Sequence, residues 1–430
     1  MVSRRDFIKL GLSTTAMAAA GCRQLSFRRR SKAHVVIVGG GFAGASAAKT
    51  IRKLDDSIKV TLIESNPRYL TCPGSNWVLG GLRDLESLGF GYDQLALHYG
   101  ITVIHERVTA VDAEKKSLRL SNRQTINYDR LIMAPGIDFR WGDIEGYDAA
   151  VAEYIPHAWK AGQQTQTLAS LVQAMPDNGT IAIVAPANPF RCPPGPYERA
   201  SMLAYYCRQH KPKAKVLILD HKRGFSKQDL FVEGWKQHYG YGTHAALIEW
   251  QSIADNPVIA LAAKSKTLQT DFGDQIKADV LNVIPAQKAG LIAQQAGLCD
   301  DSGWCPVRPV SGESTLRPDI HVIGDAAIQQ PIPKSAFAAT SEAKVCAFAV
   351  VDLLNERELS EPVWVNTCYS LVTADHGISV AMVYKLNEAG EISALAGAGG
   401  VTEHTDRQSL YLESRYAMGC YDSITRNTFS

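Results

Sequence analysis

The sequence predicts an α/β protein made of two units that each begin like a dinucleotide-binding domain, followed by a small C-terminal domain. Apolar strands alternate with helical stretches as far as residue 350, which is typical of parallel sheets with helical connections. A strand, a glycine-rich turn and a helix follow one another from residue 34. A second strand, at 180–185, begins the same pattern but continues into prolines instead of glycines.

Length and composition are those of a folded protein of several domains. The chain has 430 residues, of which 46% are hydrophobic and 20% are charged, so we expect two or three domains. The formal net charge is +2 and no basic motif is interleaved with aromatic residues, so we expect no nucleic acid partner. The N-terminal apolar run, residues 10–20, is too short for a transmembrane span.

The first 32 residues are predicted to be an export leader and linker. Arg4 and Arg5 precede a phenylalanine, a lysine and the short apolar run, which resembles a twin-arginine signal and predicts a periplasmic protein. This route suits a protein that must load a cofactor before export. Residues 19–22 also resemble a lipoprotein box, in which Cys22 would carry a lipid anchor. A disordered basic tail is the alternative.

The turn Gly39-x-Gly41-x-x-Gly44 is the first candidate cofactor site. It joins the apolar strand 35–38 to a helix, and the strand 60–64 ends in Glu64, twenty residues after Gly44. The glycines let the backbone approach a pyrophosphate, the helix N-terminus stabilises its charge, and the acid accepts a hydrogen bond from a ribose hydroxyl. A glycine-rich turn in another kind of βαβ unit is the alternative.

Two later strand ends favour FAD over NAD. One ends in Ala134-Pro135-Gly136, and another ends in Gly324-Asp325. Ligands of open α/β sheets bind at the carboxyl ends of the strands, so Asp325 would bind ribityl or pyrophosphate groups. Asp325 alone is equally compatible with a helix N-cap. Together with the glycine turn, these segments resemble the flavoprotein disulfide reductase superfamily.

The end of the second strand carries a thiol in place of a nucleotide loop. Pro186, Pro189, Arg191 and Cys192 follow the strand, and a helix is predicted from Tyr197. A cysteine near a helix N-terminus and beside an arginine is expected to have a lowered pKa and redox chemistry. A buried structural cysteine fits the local sequence equally well. The prolines disfavour NAD(P)H as the electron donor.

The nine cysteines contain no Cys-x-x-Cys spacing. This excludes a local zinc ribbon, a thioredoxin-type dithiol and a haem c attachment site in this chain, and we expect no metal site. Any disulfide must be long-range or join Cys299 to Cys305. We interpret Cys299 and Cys305, together with Cys207 and Cys346, as structural and mostly buried thiols.

Long, unusual segments make the chain similar to the flavoprotein subunit of flavocytochrome c sulfide dehydrogenase over nearly its whole length. They lie at 156–165, 189–200, 303–307, 333–335 and 366–370. The resemblance implies that Cys72 binds FAD covalently through a thioether, and that Cys192 and Cys368 form a redox-active disulfide against the flavin. It also implies that the chain oxidises sulfide and passes electrons to haem c of a partner cytochrome subunit.

The predicted catalytic residues are therefore Cys192, Cys368 and Lys334, the last as a cation near the reduced flavin. The predicted cofactor-binding residues are Gly39, Gly41, Phe42, Ala43, Gly44, Glu64, Ser65, Cys72, Val108, Ala134, Gly136, Gly324, Asp325, Ser335 and Ala336. The predicted domains are the leader 1–32, a FAD-binding domain in two parts at 33–150 and 286–360, a degenerate NAD-type domain at 151–285, and a flavin-covering domain at 361–430.

Several alternatives stay open. A sulfide:quinone oxidoreductase shares the fold, FAD and a cysteine pair, although the segment 408–430 has no basic amphipathic face for membrane binding. A non-catalytic electron-relay subunit is disfavoured by the presence of Cys192 and Cys368. Cys420 stands where the family has an aromatic residue close to the flavin, which leaves room for a variant sulfur substrate.

Overall fold

A computed structural model describes residues 33–430 of the chain. The predicted leader, with Arg4, Arg5 and the candidate lipid anchor Cys22, lies outside the described residues. Within the described part, no helix combines the length and the apolar character that crossing a bilayer requires.

The first parallel sheet has the strand before the glycine turn at its centre. Its inner strands consist almost entirely of buried apolar residues, as expected for parallel strands. The helices Phe42–Leu54 and Ala336–Leu354 pack against each other through alanine-rich faces. From edge to edge the strands are Ile320–Val322, Arg130–Met133, His34–Val38, Lys59–Ile63 and Thr102–Ile104.

The second parallel sheet repeats this arrangement. The strand predicted at 180–185 is central and continues toward Cys192. The helix that follows begins at Gly195, two residues before the predicted start. The strands in order are Ile248–Ser252, Lys215–Asp220, Thr180–Ala185 and Val280–Val283, and helices in this region are Gln163–Ala174, Gly195–His210 and Gln228–Tyr239.

Each parallel sheet is accompanied by a three-stranded antiparallel sheet, so the repetition extends beyond the two strand–turn starts seen in the sequence. One comprises Val108–Asp112, Ser117–Leu120 and Thr125–Asn127, and the other comprises Val258–Ala262, Thr267–Thr270 and Gln275–Lys277. This duplication agrees with the predicted α/β fold of two related domains.

Short elements connect these units. Three pairs of short strands are Tyr69–Leu70 with Gly89–Phe90, Ile137–Phe139 with Gln287–Ala289, and Cys305–Pro306 with Ala327–Ile328. The remaining short helices are Ser75–Leu79, Asp93–Tyr99 and Leu291–Gln295, with 3₁₀ turns at Leu85–Leu88, Val151–Glu153, Ala263–Ser265 and Gly324–Ala326.

The C-terminal region is an antiparallel sheet and one long helix. The strands are Val363–Thr373, His376–Leu386 and Ile392–Val401, and the helix is Arg407–Phe429. Asp406 begins the helix because its carboxylate accepts hydrogen bonds from the Gln408 and Ser409 amides. At the other end, the Phe429 ring contacts those of Phe42, Tyr69 and Phe90, with centroids 5.2 to 5.6 Å apart.

Candidate active site

A cavity of about 670 Å³ is bordered by residues that follow strands of the first sheet, by residues that follow the strand Thr180–Ala185, and by the C-terminal region. Its walls include the glycine turn, the Gly324–Ala326 turn and one side of the Arg407–Phe429 helix. Its size is typical of sites for small molecules and cofactors. Cys72, Cys192, Cys368 and Cys420 all border it.

The glycine turn packs too closely for side chains. A Cβ atom on Gly39 would lie 2.2 Å from the Ala134 carbonyl oxygen, and one on Gly44 would lie 1.9 Å from the Gly39 carbonyl oxygen. Gly41 borders the cavity and precedes the first helix without a side-chain cap. The amide groups in the first turn of a helix need partners from outside that helix, and a pyrophosphate can supply them.

Two acids border the same cavity. Glu64 Oε2 accepts a hydrogen bond from the Gly40 amide at 2.8 Å, which ties the acid to the turn. Asp325 lies in the Gly324–Ala326 turn, and burial raises the pKa of its carboxyl. Its Oδ1 is buried and has no hydrogen-bond partner among residues 33–430. An unpaired buried oxygen costs about 1–3 kcal/mol, so Asp325 suits a cofactor that brings a hydroxyl.

The two predicted catalytic cysteines meet at the cavity wall as free thiols that share a hydrogen bond. Cys192 is held by its backbone: its amide donates to the Lys334 carbonyl at 2.7 Å, and its carbonyl accepts from Gly195 at 2.8 Å. Cys368 lies in the long strand Val363–Thr373. The structure is therefore that of a dithiol, and the predicted disulfide stays a prediction.

The two thiols differ in acidity. The hydrogen bond from Cys192 lowers the pKa of Cys368 to about 7 despite burial, and the Lys227 ammonium acts in the same direction. The same hydrogen bond and burial raise the pKa of Cys192 well above its usual value. The expectation of a lowered pKa at Cys192 is therefore wrong. The Arg191 guanidinium donates to the Trp159 carbonyl and has only a small effect on Cys192.

Lys227 and Glu198 support Cys368, and no local sequence pattern predicts a role for either residue. Lys227 Nζ donates to the Cys368 carbonyl at 3.2 Å and to Ser370 Oγ at 2.9 Å. Glu198 Oε1 accepts from the Leu371 amide at 3.0 Å. Both contacts fix the strand that carries Cys368 against the helices Gly195–His210 and Gln228–Tyr239.

Arg199, a third residue that sequence analysis missed, also borders the cavity and stabilises its wall. It is 2% exposed, and it donates to Asn76 Oδ1 at 3.1 Å and to the His157 carbonyl at 2.8 Å. Its guanidinium stacks 4.9 Å from the centre of the Trp159 ring. Cys72 Sγ lies 3.5 Å from the carbonyl oxygen of that tryptophan.

Most of the predicted cofactor-binding residues border the cavity. They are Gly39, Gly41, Phe42, Ala43, Glu64, Cys72, Ala134, Gly136, Gly324, Asp325, Ser335 and Ala336. Three others do not. Gly44 acts through the packing of the turn, the exposed Ser65 donates to Glu64 at 3.3 Å, and Val108 is buried in a core strand.

Lys334 also does not border this cavity, so its predicted place beside the cofactor is corrected. It borders a neighbouring cavity of about 470 Å³. Its Nζ donates to the Asp325 and Ala327 carbonyls at 2.8 and 2.7 Å and lies 4.0 Å from the centre of the Trp304 ring. Lys334 therefore supports the turn that positions Asp325.

No group of three or more His, Cys, Asp or Glu side chains in the described range is arranged to hold a metal ion.

Three family models match different parts of the chain, and two of them overlap at residues 165–174. The model "Pyridine nucleotide-disulphide oxidoreductase" matches residues 33–174. The model "Sulfide dehydrogenase [flavocytochrome c] flavoprotein chain, central" matches residues 165–285. The model "Flavocytochrome c sulphide dehydrogenase, flavin-binding" matches residues 360–429.

Individual relatives agree with these models. The sulfide dehydrogenase [flavocytochrome c] flavoprotein chain of Chlorobaculum thiosulfatiphilum is 64% identical over 44 residues, 10% of this chain and 92% of that sequence. The sulfide-quinone reductase of Aquifex aeolicus is 27% identical over 186 residues, 43% of this chain and 41% of that relative. The match therefore spans less than half of the Aquifex protein.

A solved structure shares the fold. The sulfide:quinone oxidoreductase of Aquifex aeolicus superposes with a TM-score of 0.71 at 16% identity and covers 92% of each chain. At this identity the similarity shows the fold alone.

Proposed function

The chain belongs to the family of the flavocytochrome c sulfide dehydrogenase flavoprotein chain, and from this we propose that it oxidises sulfide with a Cys192–Cys368 disulfide and FAD. The electrons pass to haem c of a separate cytochrome subunit. One observation carries the proposal: the cysteine pair borders the same cavity as the glycine turn and Asp325. The dinucleotide site follows strands of the first sheet, Cys192 follows the second sheet and Cys368 lies in the C-terminal sheet, and the three meet at one cavity.

The residues of the cavity fit FAD. Gly39, Gly41 and Glu64 would hold the nucleotide and pyrophosphate part, and the unpaired Asp325 oxygen would accept a hydrogen bond from a cofactor hydroxyl. Cys72 borders the cavity and is the proposed site of covalent attachment. When bound, FAD supplies an acceptor for an electron pair that can be released one electron at a time.

The cysteine chemistry begins with the disulfide form. Hydrosulfide attacks the Cys192 sulfur, the S–S bond breaks, Cys192 becomes a persulfide and Cys368 leaves as a thiolate. The thiol with the lower pKa is the better leaving group, and here that thiol is Cys368. The Lys227 ammonium, which donates to the Cys368 carbonyl, favours the negative charge that appears on the Cys368 sulfur.

Sulfide titration of the FAD-loaded chain under anaerobic conditions tests this function. We expect the visible flavin absorbance to bleach in the wild type and in Cys207→Ser, because Cys207 is buried outside the cavity. We expect no bleaching by sulfide in Cys192→Ser. Full bleaching in Cys192→Ser would reject the disulfide route, whereas no bleaching even in the wild type would favour a relay subunit that meets no sulfide.

The electron acceptor is tested separately. We expect the sulfide-reduced protein to reduce a c-type cytochrome and not a water-soluble quinone analogue. Support for the cytochrome comes from the family models at 165–285 and 360–429. Reduction of the quinone analogue alone would instead indicate that the acceptor is a quinone, as in the names of the Aquifex relatives.

Covalent attachment and location have their own tests. A fluorescent band in a denaturing gel that disappears in Cys72→Ser would support the thioether.

We propose export by the twin-arginine route, so replacement of Arg4 and Arg5 by lysine should leave the protein in the cytoplasm. If Cys22 carries a lipid, Cys22→Ser should move the exported protein from the membrane fraction to the soluble fraction. An unchanged distribution between the membrane and soluble fractions would reject the lipid anchor at Cys22.

A further inference from the structure

A second pair of thiols lies outside the cavity that we assign to FAD. The Sγ atoms of Cys299 and Cys305 are 3.5 Å apart, and both cysteines are free thiols. Cys305 is completely buried, whereas Cys299 is partly exposed. The proposed sulfide chemistry uses neither of them.

The backbone between the two cysteines holds them together. The Asp300 amide donates to the Trp304 carbonyl at 3.0 Å, and the Gly303 amide donates to the Asp300 carbonyl at 2.9 Å. These bonds close a tight turn directly between Cys299 and Cys305. A disulfide requires an S–S distance of about 2.05 Å, so from 3.5 Å the bond needs only a small movement of the side chains.

The two thiols differ in the way that thiol–disulfide exchange requires. The hydrogen bond between the two thiols lowers the pKa of Cys299, the partly exposed thiol. The same bond and burial raise the pKa of Cys305. An accessible thiolate beside a buried thiol gives one group to attack and a second to complete the exchange.

We propose that Cys299 and Cys305 form a second dithiol–disulfide couple, which exchanges with an external small-molecule or protein disulfide. The Cys299 thiolate attacks one sulfur of that disulfide, forms a mixed disulfide and expels one thiolate. Cys305 loses its proton and attacks the Cys299 sulfur, which expels the second thiolate. Two protein thiols are oxidised to one disulfide, and the external disulfide is reduced to two thiols.

The couple would control one wall of the neighbouring cavity. Asp300, Ser302 and Trp304, which lie in the turn between the cysteines, border that cavity together with Lys334. Trp304 contacts the Lys334 ammonium, and Lys334 holds the carbonyl of Asp325. Formation of the disulfide would therefore restrict movement of this turn. Through Trp304 and Lys334, the restriction would reach the backbone of Asp325, which borders the cofactor cavity.

Peptide mass analysis of the full FAD-loaded chain tests the proposal. Trypsin releases residues 289–334 as one peptide, because Arg308 and Arg317 each precede proline, and its only cysteines are Cys299 and Cys305. The protein is equilibrated with oxidised glutathione, denatured and alkylated with iodoacetamide. We expect this peptide to lose two hydrogen atoms and carry no alkyl group. After equilibration with reduced glutathione it should carry two alkyl groups.

The controls separate this pair from the other thiols. In the reduced native protein, Cys299 should react with iodoacetamide at least about tenfold faster than Cys346, a buried cysteine. Cys299→Ser should leave Cys305 alkylatable after oxidation, while bleaching by sulfide persists. The proposal is overturned if the wild-type peptide carries two alkyl groups after oxidation. It is also overturned if Cys299 or Cys305 forms a disulfide with a cysteine outside this pair. A failure of sulfide bleaching would affect only the proposed function, because the peptide assay does not depend on it.

Discussion

The two parallel sheets carry an acid at corresponding places and use it in opposite ways. In the first sheet, Glu64 follows the strand Lys59–Ile63, binds the Gly40 amide and borders the cofactor cavity. In the second sheet, Asp220 ends the strand Lys215–Asp220 and is completely buried. Its carboxylate accepts from the Tyr197 hydroxyl at 2.6 Å, from Trp250 Nε1 at 3.0 Å and from Lys222 Nζ at 2.6 Å.

The difference shows how a dinucleotide domain can lose its nucleotide without losing its acid. Asp220 is fully occupied by internal donors, so no oxygen is left for a ribose hydroxyl. The glycine turn is also gone, and the backbone there carries Cys192 to the wall of the other domain's cavity. The second sheet therefore contributes a thiol to the first sheet's cofactor site.

The largest effect should come from a side chain added inside the glycine turn. In Gly44→Ala the new Cβ would meet the Gly39 carbonyl oxygen at 1.9 Å, so the turn must open. We expect overpacking of about 1–3 kcal/mol together with nearly complete loss of bound FAD. Cofactor content per chain and thermal unfolding would measure both. Gly419→Ala is the matched control, because no atom lies within 4 Å of its Cβ position, and it should retain FAD.

Removal of charge from the second acid should affect the fold and not the cofactor. Asp220→Asn leaves the buried Lys222 ammonium without its carboxylate, and we expect a loss of about 1–3 kcal/mol in the free energy of unfolding. FAD content should stay at the wild-type level. Chemical denaturation and absorbance spectra test this pair of outcomes. Loss of FAD at normal stability would show that the second sheet still contributes to nucleotide binding.

The converse substitution should affect the cofactor and leave the fold intact. Glu64→Gln keeps the shape of the side chain but weakens acceptance from the Gly40 amide and from a ribose hydroxyl. We expect FAD affinity to fall about tenfold, equivalent to about 1.4 kcal/mol. A Cys72→Ala background, which removes the proposed thioether, makes the affinity measurable by fluorescence titration. Equal affinity in Glu64→Gln and its parent would contradict the assigned role.

The smallest expected effect is the pH dependence of the Cys368 thiol, which residues at two helices of the second domain support. Because the pKa of Cys368 is lowered to about 7, its thiolate fraction in the dithiol form rises with pH through that value. Alkylation of Cys368 should accelerate between pH 6 and 8 and then level off, at roughly tenfold over that range. Lys227→Met should move the midpoint to higher pH, since it removes a nearby cation. A midpoint that does not move would mean that Cys192 alone sets it.

Local patterns predicted the first sheet's site because its parts are close in sequence. The spacing of Gly39, Gly41 and Gly44 before a helix, with Glu64 at the next strand end, needed no knowledge of distant residues. The pairing of Cys192 with Cys368 came from family resemblance, because nothing in the sequence around Cys368 distinguishes it. Tertiary contacts could not be anticipated: Lys227 and Glu198 reach the Cys368 strand from 141 and 173 residues away.

Side-chain direction was the other limit. Lys334 lies one residue from Ser335, which borders the cofactor cavity, yet its ammonium turns to the Asp325 and Ala327 carbonyls. The pKa of Cys192 likewise depends on which thiol donates the shared hydrogen bond, and no spacing rule gives that direction.

The packing of Phe429 against Phe42, Tyr69 and Phe90 anchors the last turn of the C-terminal helix to the first domain. Four side chains between residues 417 and 424 of the same helix form part of the cavity wall. The aromatic cluster therefore sets the position of that wall from outside the cavity. A change in the cluster would alter how tightly a non-covalently bound cofactor is held, although no residue that touches the cofactor had been replaced.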